Sequence, residues 1–156
     1  GDRVEVDLAN LVREVLIATP ASGHRITMEG SARAAVDPER IRQVVQNLVD
    51  NAVKFSPLGG AIAMRVWSED DRACFSVEDQ GLGIAADNPN ALFERFRRGA
   101  AAAASPSGGM GIGLYLCRRI VEEHGGRIVA EPRAEGGSRF VVSPPDRKST
   151  RLNSSH

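Results

Sequence analysis

Asp79-Gln80-Gly81-Leu82-Gly83 is the stretch that decides the fold of this chain, because a strand-like run leads into it and a turn follows. Residues 72–78 alternate apolar and polar side chains, so Asp79 is predicted to lie at the end of a half-buried strand. Gly81 and Gly83 lack a Cβ, which permits positive φ angles and lets a flat ring approach the backbone. The Asp79 carboxylate can accept a hydrogen bond from the exocyclic amine of adenine. Taken alone, an ordinary Asp-x-Gly turn also explains the pattern.

A second glycine stretch, Gly109-Met110-Gly111-Ile112-Gly113-Leu114, runs into a region of helical periodicity that ends at His124. These glycines are therefore predicted to precede a helix N-terminus, whose free N–H groups and positive dipole end suit phosphates. No clear strand precedes them, which disfavours a dinucleotide-binding fold, and no Gly-Lys-Ser/Thr follows, which excludes a P-loop. A plain flexible loop remains the alternative for this stretch on its own.

The helix before both glycine stretches is the best marked in the chain. Asp37 is its predicted N-cap and Pro38 its first residue. Asn47, Asn51 and Lys54 share a face that points away from the apolar stripe. Asparagine inside a helix costs on the order of 0.5 kcal/mol relative to alanine, so the two amides are predicted to have a task, such as binding a phosphate-bound Mg²⁺ ion. A solvated polar face is the alternative.

Four stretches in this order resemble the catalytic ATP-binding domain of sensor histidine kinases. Residues 47–55 resemble its N box, 79–83 the first glycine box, 92–98 the F box and 109–114 the second glycine box. The similarity spans residues 4–143. It implies an α+β fold, a two-layer α/β sandwich in which three helices cover one face of a mixed β-sheet, with a mobile ATP lid at 99–108. Phe93 and Phe96 are predicted to anchor the base of this lid by packing.

The periodicity of the chain supports the same fold class independently. Strand-like runs lie at 3–6, 25–29, 61–67, 72–78, 127–131 and 138–142, and helix-like runs at 8–19, 37–55 and 113–124. We expect one catalytic domain over residues 1–145. Residues 146–156 follow Pro144-Pro145 without apolar periodicity, and they are predicted to be a non-native tail read through from a sequencing adapter.

The resemblance also implies site residues at the matching positions. Asp79 binds the adenine amine, Asn51 ligates Mg²⁺, and Asn47 and Lys54 lie near the phosphates. Arg98 resembles a lid-side arginine that reaches the terminal phosphate, and the adjacent Arg97 competes for that role. The implied catalytic residues are Asn47, Lys54 and Arg98. The implied ATP-binding set is Asn47, Asn51, Lys54, Asp79, Gly81, Gly83, Arg98, Gly109, Gly111, Gly113 and Leu114.

One position distinguishes the reactions that this fold serves. In gyrase-type and chaperone ATPases, a glutamate four residues before the metal-binding asparagine acts as general base on water. This chain has Asn47 there, and an amide cannot take a proton at neutral pH. The resemblance therefore implies transfer of the ATP γ-phosphate to a histidine on a dimerisation domain, with a response regulator downstream. The alternatives are a hydrolysing ATPase and a nucleotide-switched binding module without transfer activity.

His24, His124 and His156 all lack the His-Glu/Asp-x-Arg/Lys context of the phosphoacceptor in this family, so we expect a C-terminal catalytic piece of a longer kinase. The chain has 20 Lys+Arg and 20 Asp+Glu, a balance without the basic excess that nucleic-acid or membrane-surface binding requires. Two cysteines without metal-ligand spacing indicate a reducing compartment. We expect a cytoplasmic domain without direct membrane contact, even where the parent kinase is membrane-anchored.

Overall fold

The computed structural model describes residues 2–20, 23–56, 59–81, 89–94 and 110–143, the side chains of 110–112 excepted. These ranges contain seven strands, three α-helices and a short 3-10 helix. The strands are β1 (Val4–Asp7), β2 (Arg25–Gly30), β3 (Arg33–Val36), β4 (Ala61–Glu69), β5 (Arg72–Glu78), β6 (Arg127–Pro132) and β7 (Ser138–Ser143). The helices are α1 (Leu8–Ala18), α2 (Pro38–Phe55) and α3 (Met110–Glu123), and the 3-10 helix is Pro89–Phe93.

Five of the strands form one mixed sheet in the order β2-β4-β5-β7-β6. β2 and β4 are parallel, and the other neighbouring strands are antiparallel. A parallel pair needs a crossover connection, which α2 supplies between β2 and β4. β1 and β3 pair separately as a two-stranded antiparallel sheet. The predicted two-layer fold of three helices on a mixed sheet is confirmed.

Helix α2 begins where the sequence predicts it. The Asp37 side chain accepts a hydrogen bond from the backbone N of Arg40 at 3.4 Å, and Pro38 is the first helical residue. One face of the helix is buried in the core through Ile41, Val44, Val45, Leu48, Val49 and Ala52. Burying a Val, Leu or Ile side chain contributes about 1.5–3 kcal/mol, so this face fixes the rotation of α2 about its axis. The opposite, polar face is thereby fixed as well.

The sheet presents its apolar face to the helices. The buried strand residues on that face are Ile62, Met64, Val66, Phe75, Val77, Ile128, Ala130 and Phe140. The 3-10 helix packs on this layer, because the Phe93 ring meets the Phe140 ring edge to face, with ring centroids 5.9 Å apart. Phe93 is buried, which confirms that it packs in the core, and its predicted role at the base of a lid stays a prediction. Phe96, predicted for the same role, lies outside the described residues.

Two predictions about secondary structure were wrong. Strand β3 was missed, because its four residues Arg-Ala-Ala-Val carry little strand preference and are ordered by pairing with β1. Helix α3 begins at Met110, three residues before the predicted start at 113, so Gly111 lies within its first turn rather than before it. Packing of its apolar face outweighs the cost of about 1 kcal/mol for each helical glycine. The predicted lid at 99–108 and the predicted tail at 146–156 lie outside the described residues.

Candidate functional site

Asp79 lies directly after β5, as predicted, and it is almost fully buried, with 3% of its surface exposed. Its Oδ1 accepts a hydrogen bond from the backbone N of Gly81 at 2.8 Å. Its Oδ2 accepts one from the Ser138 hydroxyl, also at 2.8 Å. Each carboxylate oxygen has about two acceptor positions, so Asp79 retains acceptor capacity for a ligand. The two bonds fix the direction in which that capacity points.

The backbone of Asp79 is held from the β6–β7 hairpin. Its N–H donates to the Ser138 carbonyl oxygen at 3.0 Å, and its carbonyl oxygen accepts from Arg133 Nη1 at 2.8 Å. Sequence reasoning missed both Ser138 and Arg133, which lie 59 and 54 residues further along the chain. No short motif marks them. The two residues can be found only once β5 and β7 are paired in the register that places Glu78 opposite Arg139.

Gly81 joins the first glycine box to the end of α2. A Cβ built on Gly81 overlaps the Phe55 carbonyl oxygen and comes within 2.8 Å of its carbonyl carbon. The described residues with positive φ include six glycines, and Gly81 is not among them. Gly81 is therefore needed for close backbone approach, and the sequence argument from positive φ does not apply to it.

Asn47 faces the first turns of α3. A Cβ built on Gly113 is 3.9 Å from Asn47 Cγ, and the Asn47 amide lies close enough to Cys117 to lower the pKa of its thiol slightly, against the larger effect of burial. Cys117 is fully buried, and its Sγ donates to the Val44 carbonyl oxygen at 3.9 Å. Burial raises the pKa of the Cys117 thiol to about 12, so the thiol stays protonated. Leu114, predicted as a nucleotide contact, has its side chain in the hydrophobic core.

Asn51 carries an orphaned polar atom. Its Oδ1 is buried and has no hydrogen-bond partner among the residues that the structure describes. A buried acceptor without a partner costs about 1–3 kcal/mol, a cost that a bound ligand would remove. An amide oxygen is a ligand that hard cations such as Mg²⁺ accept. Asn51 therefore fits a magnesium ion, and Lys54 is exposed one turn further along the same helix.

The structure thus brings three sequence-predicted elements together. Helix α2 contacts the first glycine box through Phe55 and Gly81, and the second glycine box through Asn47 and Gly113. Gly111 lies in the first turn of α3, where backbone N–H groups lack partners within the helix. Gly83, Arg97, Arg98 and Gly109 lie outside the described residues, so their assignments stay predictions.

Comparison with known proteins identifies the family. Residues 36–148 match the family model of histidine kinase-, DNA gyrase B- and HSP90-like ATPases. The chain belongs to this family. Sensor histidine kinases are among the members similar to it, so this ATPase-family domain is of the histidine kinase type, the catalytic ATP-binding domain.

Individual members of the ATPase family support that assignment. The circadian input-output histidine kinase CikA of Synechococcus elongatus is 43% identical over 110 residues, which cover 70% of this chain and 15% of CikA. The solved catalytic domain of histidine kinase ThkA has a TM-score of 0.79 and 27% identity, covering 93% of this chain and 96% of that one. Full-length ShkA, solved in complex with AMPPNP, has a TM-score of 0.73 and 28% identity, covering 92% of this chain and 31% of ShkA.

The chain therefore spans about a seventh of the length of CikA. Among the helices in the described ranges of this ATPase-family domain, none combines the length and the apolar character needed to cross a bilayer.

Proposed function

We propose that this domain binds Mg·ATP and transfers the γ-phosphate to a histidine on the dimerisation domain of its parent kinase. The phosphorus–oxygen bond to ADP breaks, a phosphorus–nitrogen bond to the histidine forms, and ADP leaves. A response regulator then receives the phosphoryl group. Because the reaction consumes ATP, the domain works in the cytoplasm.

Adenine recognition is assigned to Asp79. The carboxylate is buried, and its direction is fixed by Gly81 N and the Ser138 hydroxyl. A buried acceptor held in one orientation suits the exocyclic amine of adenine, since a ligand without that donor leaves the remaining acceptor position of the carboxylate unpaired. ShkA, which shares the fold, was solved with the nucleotide AMPPNP.

Phosphate binding is assigned to the polar face of α2 and the start of α3. Asn51 Oδ1 would ligate Mg²⁺, which when bound neutralises phosphate charge. Lys54 lies on the same face of α2, and the N–H groups of the first turn of α3 suit phosphate oxygens. Arg98 is proposed to reach the terminal phosphate from the lid, with Arg97 as its competitor.

The amide of Asn47 is the observation that favours a kinase over a hydrolase. Asn47 stands four residues before Asn51, where hydrolysing members of this fold have a glutamate base. Asn47 lies beside α3, with its Cγ 3.9 Å from a Cβ built on Gly113. An amide at this position does not deprotonate water, so ATP is kept until the histidine arrives.

The proposal is tested with the full chain and γ-labelled Mg·ATP, following bound nucleotide and released phosphate together. We expect tight binding with negligible release, and labelled phosphohistidine after addition of the dimerisation domain of the parent kinase. Steady release without that domain would favour an ATPase. Binding with no transfer to the histidine would favour a nucleotide-switched module.

A pair of variants sharpens the distinction. Asn47→Glu introduces a carboxylate where the ATPases have their base, and we expect it to increase phosphate release. Asn47→Gln is the matched control, since it has the same length and no basic atom. Equal release from both variants would show that position 47 does not decide the reaction.

A further inference from the structure

The turn between β6 and β7 lies against the backbone of Asp79. Two backbone hydrogen bonds close this turn, from Arg133 N to the Gly137 oxygen at 3.2 Å and from Gly136 N to the Arg133 oxygen at 3.0 Å. Gly136 and Gly137 have φ angles of 97° and 90°, which only glycine adopts without strain. The turn is therefore closed by its own backbone hydrogen bonds, and its conformation requires glycine at both positions.

Gly137 brings the turn into direct contact with the first glycine box. A Cβ built on Gly137 overlaps the Asp79 carbonyl oxygen and comes within 2.8 Å of Gln80 Cα. Any side chain at this position displaces the peptide that joins Asp79 to Gln80. The two backbones thus touch at the residue to which adenine recognition is assigned.

Arg133 adds a charged hydrogen bond at the same peptide. Its Nη1 donates to the Asp79 carbonyl oxygen at 2.8 Å, and its Nη2 donates to Glu135 Oε2 at 2.9 Å. Its Nε is 4.0 Å from Glu78 Oε2. The Arg133 side chain is only 20% exposed, and its bond to the Asp79 carbonyl oxygen is partly shielded from water, whereas Glu135 is exposed. Hydrogen bonds from a charged donor are about twice as strong as neutral ones.

We propose that Arg133 is a positioning residue for the Asp79 carboxylate, and that it thereby sets selectivity for adenine over other purines. Ser138 fixes the N–H end of the Asp79 backbone and Arg133 fixes the carbonyl end. With both ends held, the carboxylate keeps the direction that an exocyclic amine requires. The proposal rests on the proposed function, in which Asp79 binds adenine.

The test compares ATP with inosine triphosphate, which carries an oxygen in place of the adenine amine, in binding measurements on the full chain. Arg133→Met keeps the apolar stem and removes the guanidinium. We expect this variant to bind ATP roughly fivefold more weakly, less than the full effect of a charged hydrogen bond, because Arg133 acts on the carboxylate indirectly through the Asp79 backbone. Its affinity for inosine triphosphate should change by less than about twofold, because that ligand has no amine from which Asp79 can accept a hydrogen bond. The selectivity for ATP should therefore fall. A general loss of structure would instead weaken the binding of both nucleotides equally.

Arg139→Met is the matched control. Arg139 also pairs with Glu78, at 3.1 Å, and with Glu131, but among the described residues its ion pairs are with these glutamates and not with Asp79. We expect Arg139→Met to keep the wild-type ratio of ATP to inosine triphosphate affinity. Arg133→Lys serves if Arg133→Met fails to fold, since it keeps one charged donor and loses the fork; its ratio should lie below that of the wild type.

The outcomes separate the two proposals. A wild-type chain that binds both nucleotides equally overturns the assignment of adenine to Asp79. A selective wild type whose selectivity survives in the position-133 variants overturns the role of Arg133 alone. Loss of selectivity in Arg139→Met as well would show that pairing with Glu78, and not the bond to Asp79, is responsible.

Discussion

The Ser138 hydroxyl donates to Asp79 Oδ2 at 2.8 Å across two neighbouring strands, although the residues are 59 positions apart. Both residues are buried, with 8% and 3% of their surfaces exposed. A buried carboxylate is stable only when donors satisfy it, so β7 contributes to the site that follows β5. Three of the four bonds that hold Asp79 come from the hairpin of β6 and β7 and its turn.

Ser138→Ala should weaken ATP binding about fivefold, because loss of one buried hydrogen bond costs about 1 kcal/mol and leaves Asp79 Oδ2 without its donor. Isothermal titration calorimetry measures this. Ser76→Ala is the control: Ser76 is fully buried on β5, and its hydroxyl has no partner among the described residues. It should leave ATP affinity unchanged and the free energy of unfolding equal or higher. Equal losses of affinity in both variants would contradict a role for the Ser138 bond.

Asn51→Ala should separate binding from stability. The variant removes a buried oxygen that lacks a partner among the described residues, and alanine gains about 0.5 kcal/mol of helix propensity. We therefore expect the melting temperature without nucleotide to stay level or rise. ATP affinity in Mg²⁺ should fall by about tenfold or more, whereas ATP affinity in EDTA should barely change, because a metal ligand has been lost.

Gln43→Ala is the control for Asn51, since Gln43 is an exposed amide on the same helix. It should change neither the melting temperature nor the gain in ATP affinity that Mg²⁺ gives. If Asn51→Ala binds Mg·ATP as tightly as the wild type, the residue does not ligate the metal.

The pH dependence of stability follows from the buried thiols. Burial raises the pKa of Cys117 from 9.0 to about 12 and that of Cys74 to about 11. Above pH 9 the unfolded chain releases thiol protons that the folded chain retains, so stability present below pH 9 is lost as the pH rises. For Cys117 alone the free energy of unfolding should fall by about 1.4 kcal/mol between pH 8 and pH 10.

Urea unfolding of the wild type and of Cys117→Ala at both pH values isolates this contribution. The variant is expected to be less stable at pH 8, but it should lose less stability than the wild type on going to pH 10. Identical losses in the two proteins would show that the Cys117 thiol ionises as readily when folded as when unfolded.

His124 joins the end of α3 to the start of α2. Its Nε2 accepts a hydrogen bond from the Asp37 backbone N at 3.1 Å, and its Nδ1 is 2.8 Å from the Ile120 carbonyl oxygen, to which it donates. This arrangement requires a neutral ring with the proton on Nδ1. His124→Leu should lower the free energy of unfolding by about 1–3 kcal/mol, because it removes the partly buried ring nitrogen that accepts from the Asp37 N–H.

Arg118→Leu is the comparison for His124, since Arg118 makes an exposed ion pair with Glu122 on the same helix. It should cost no more than about 0.5 kcal/mol in urea unfolding. Both variants should retain ATP affinity, as neither residue contacts Asp79, Asn47 or Asn51 in the described structure. A large loss of affinity in His124→Leu would place the residue in the nucleotide site.

Prediction from sequence succeeded where a local pattern carries the information. The N-cap and first residue of α2, the position of Asp79 at the end of β5 and the packing of Phe93 all follow from short-range spacing. It failed at β3, whose order depends on pairing with β1. It also failed at the start of α3, where packing outweighs the low helix propensity of glycine.

The sequence by itself determined the fold class, the order of the boxes and the presence of an amide at Asn47, because periodicity and residue identity are local properties of the chain. The tertiary structure decided which side chains support the site. Ser138 and Arg133 reach Asp79 only because β5 and β7 pair in one register, and Cys117 reaches Asn47 only because α2 and α3 pack together. Those contacts join residues that are distant along the chain, and the burial that makes them strong exists only once the layers have closed.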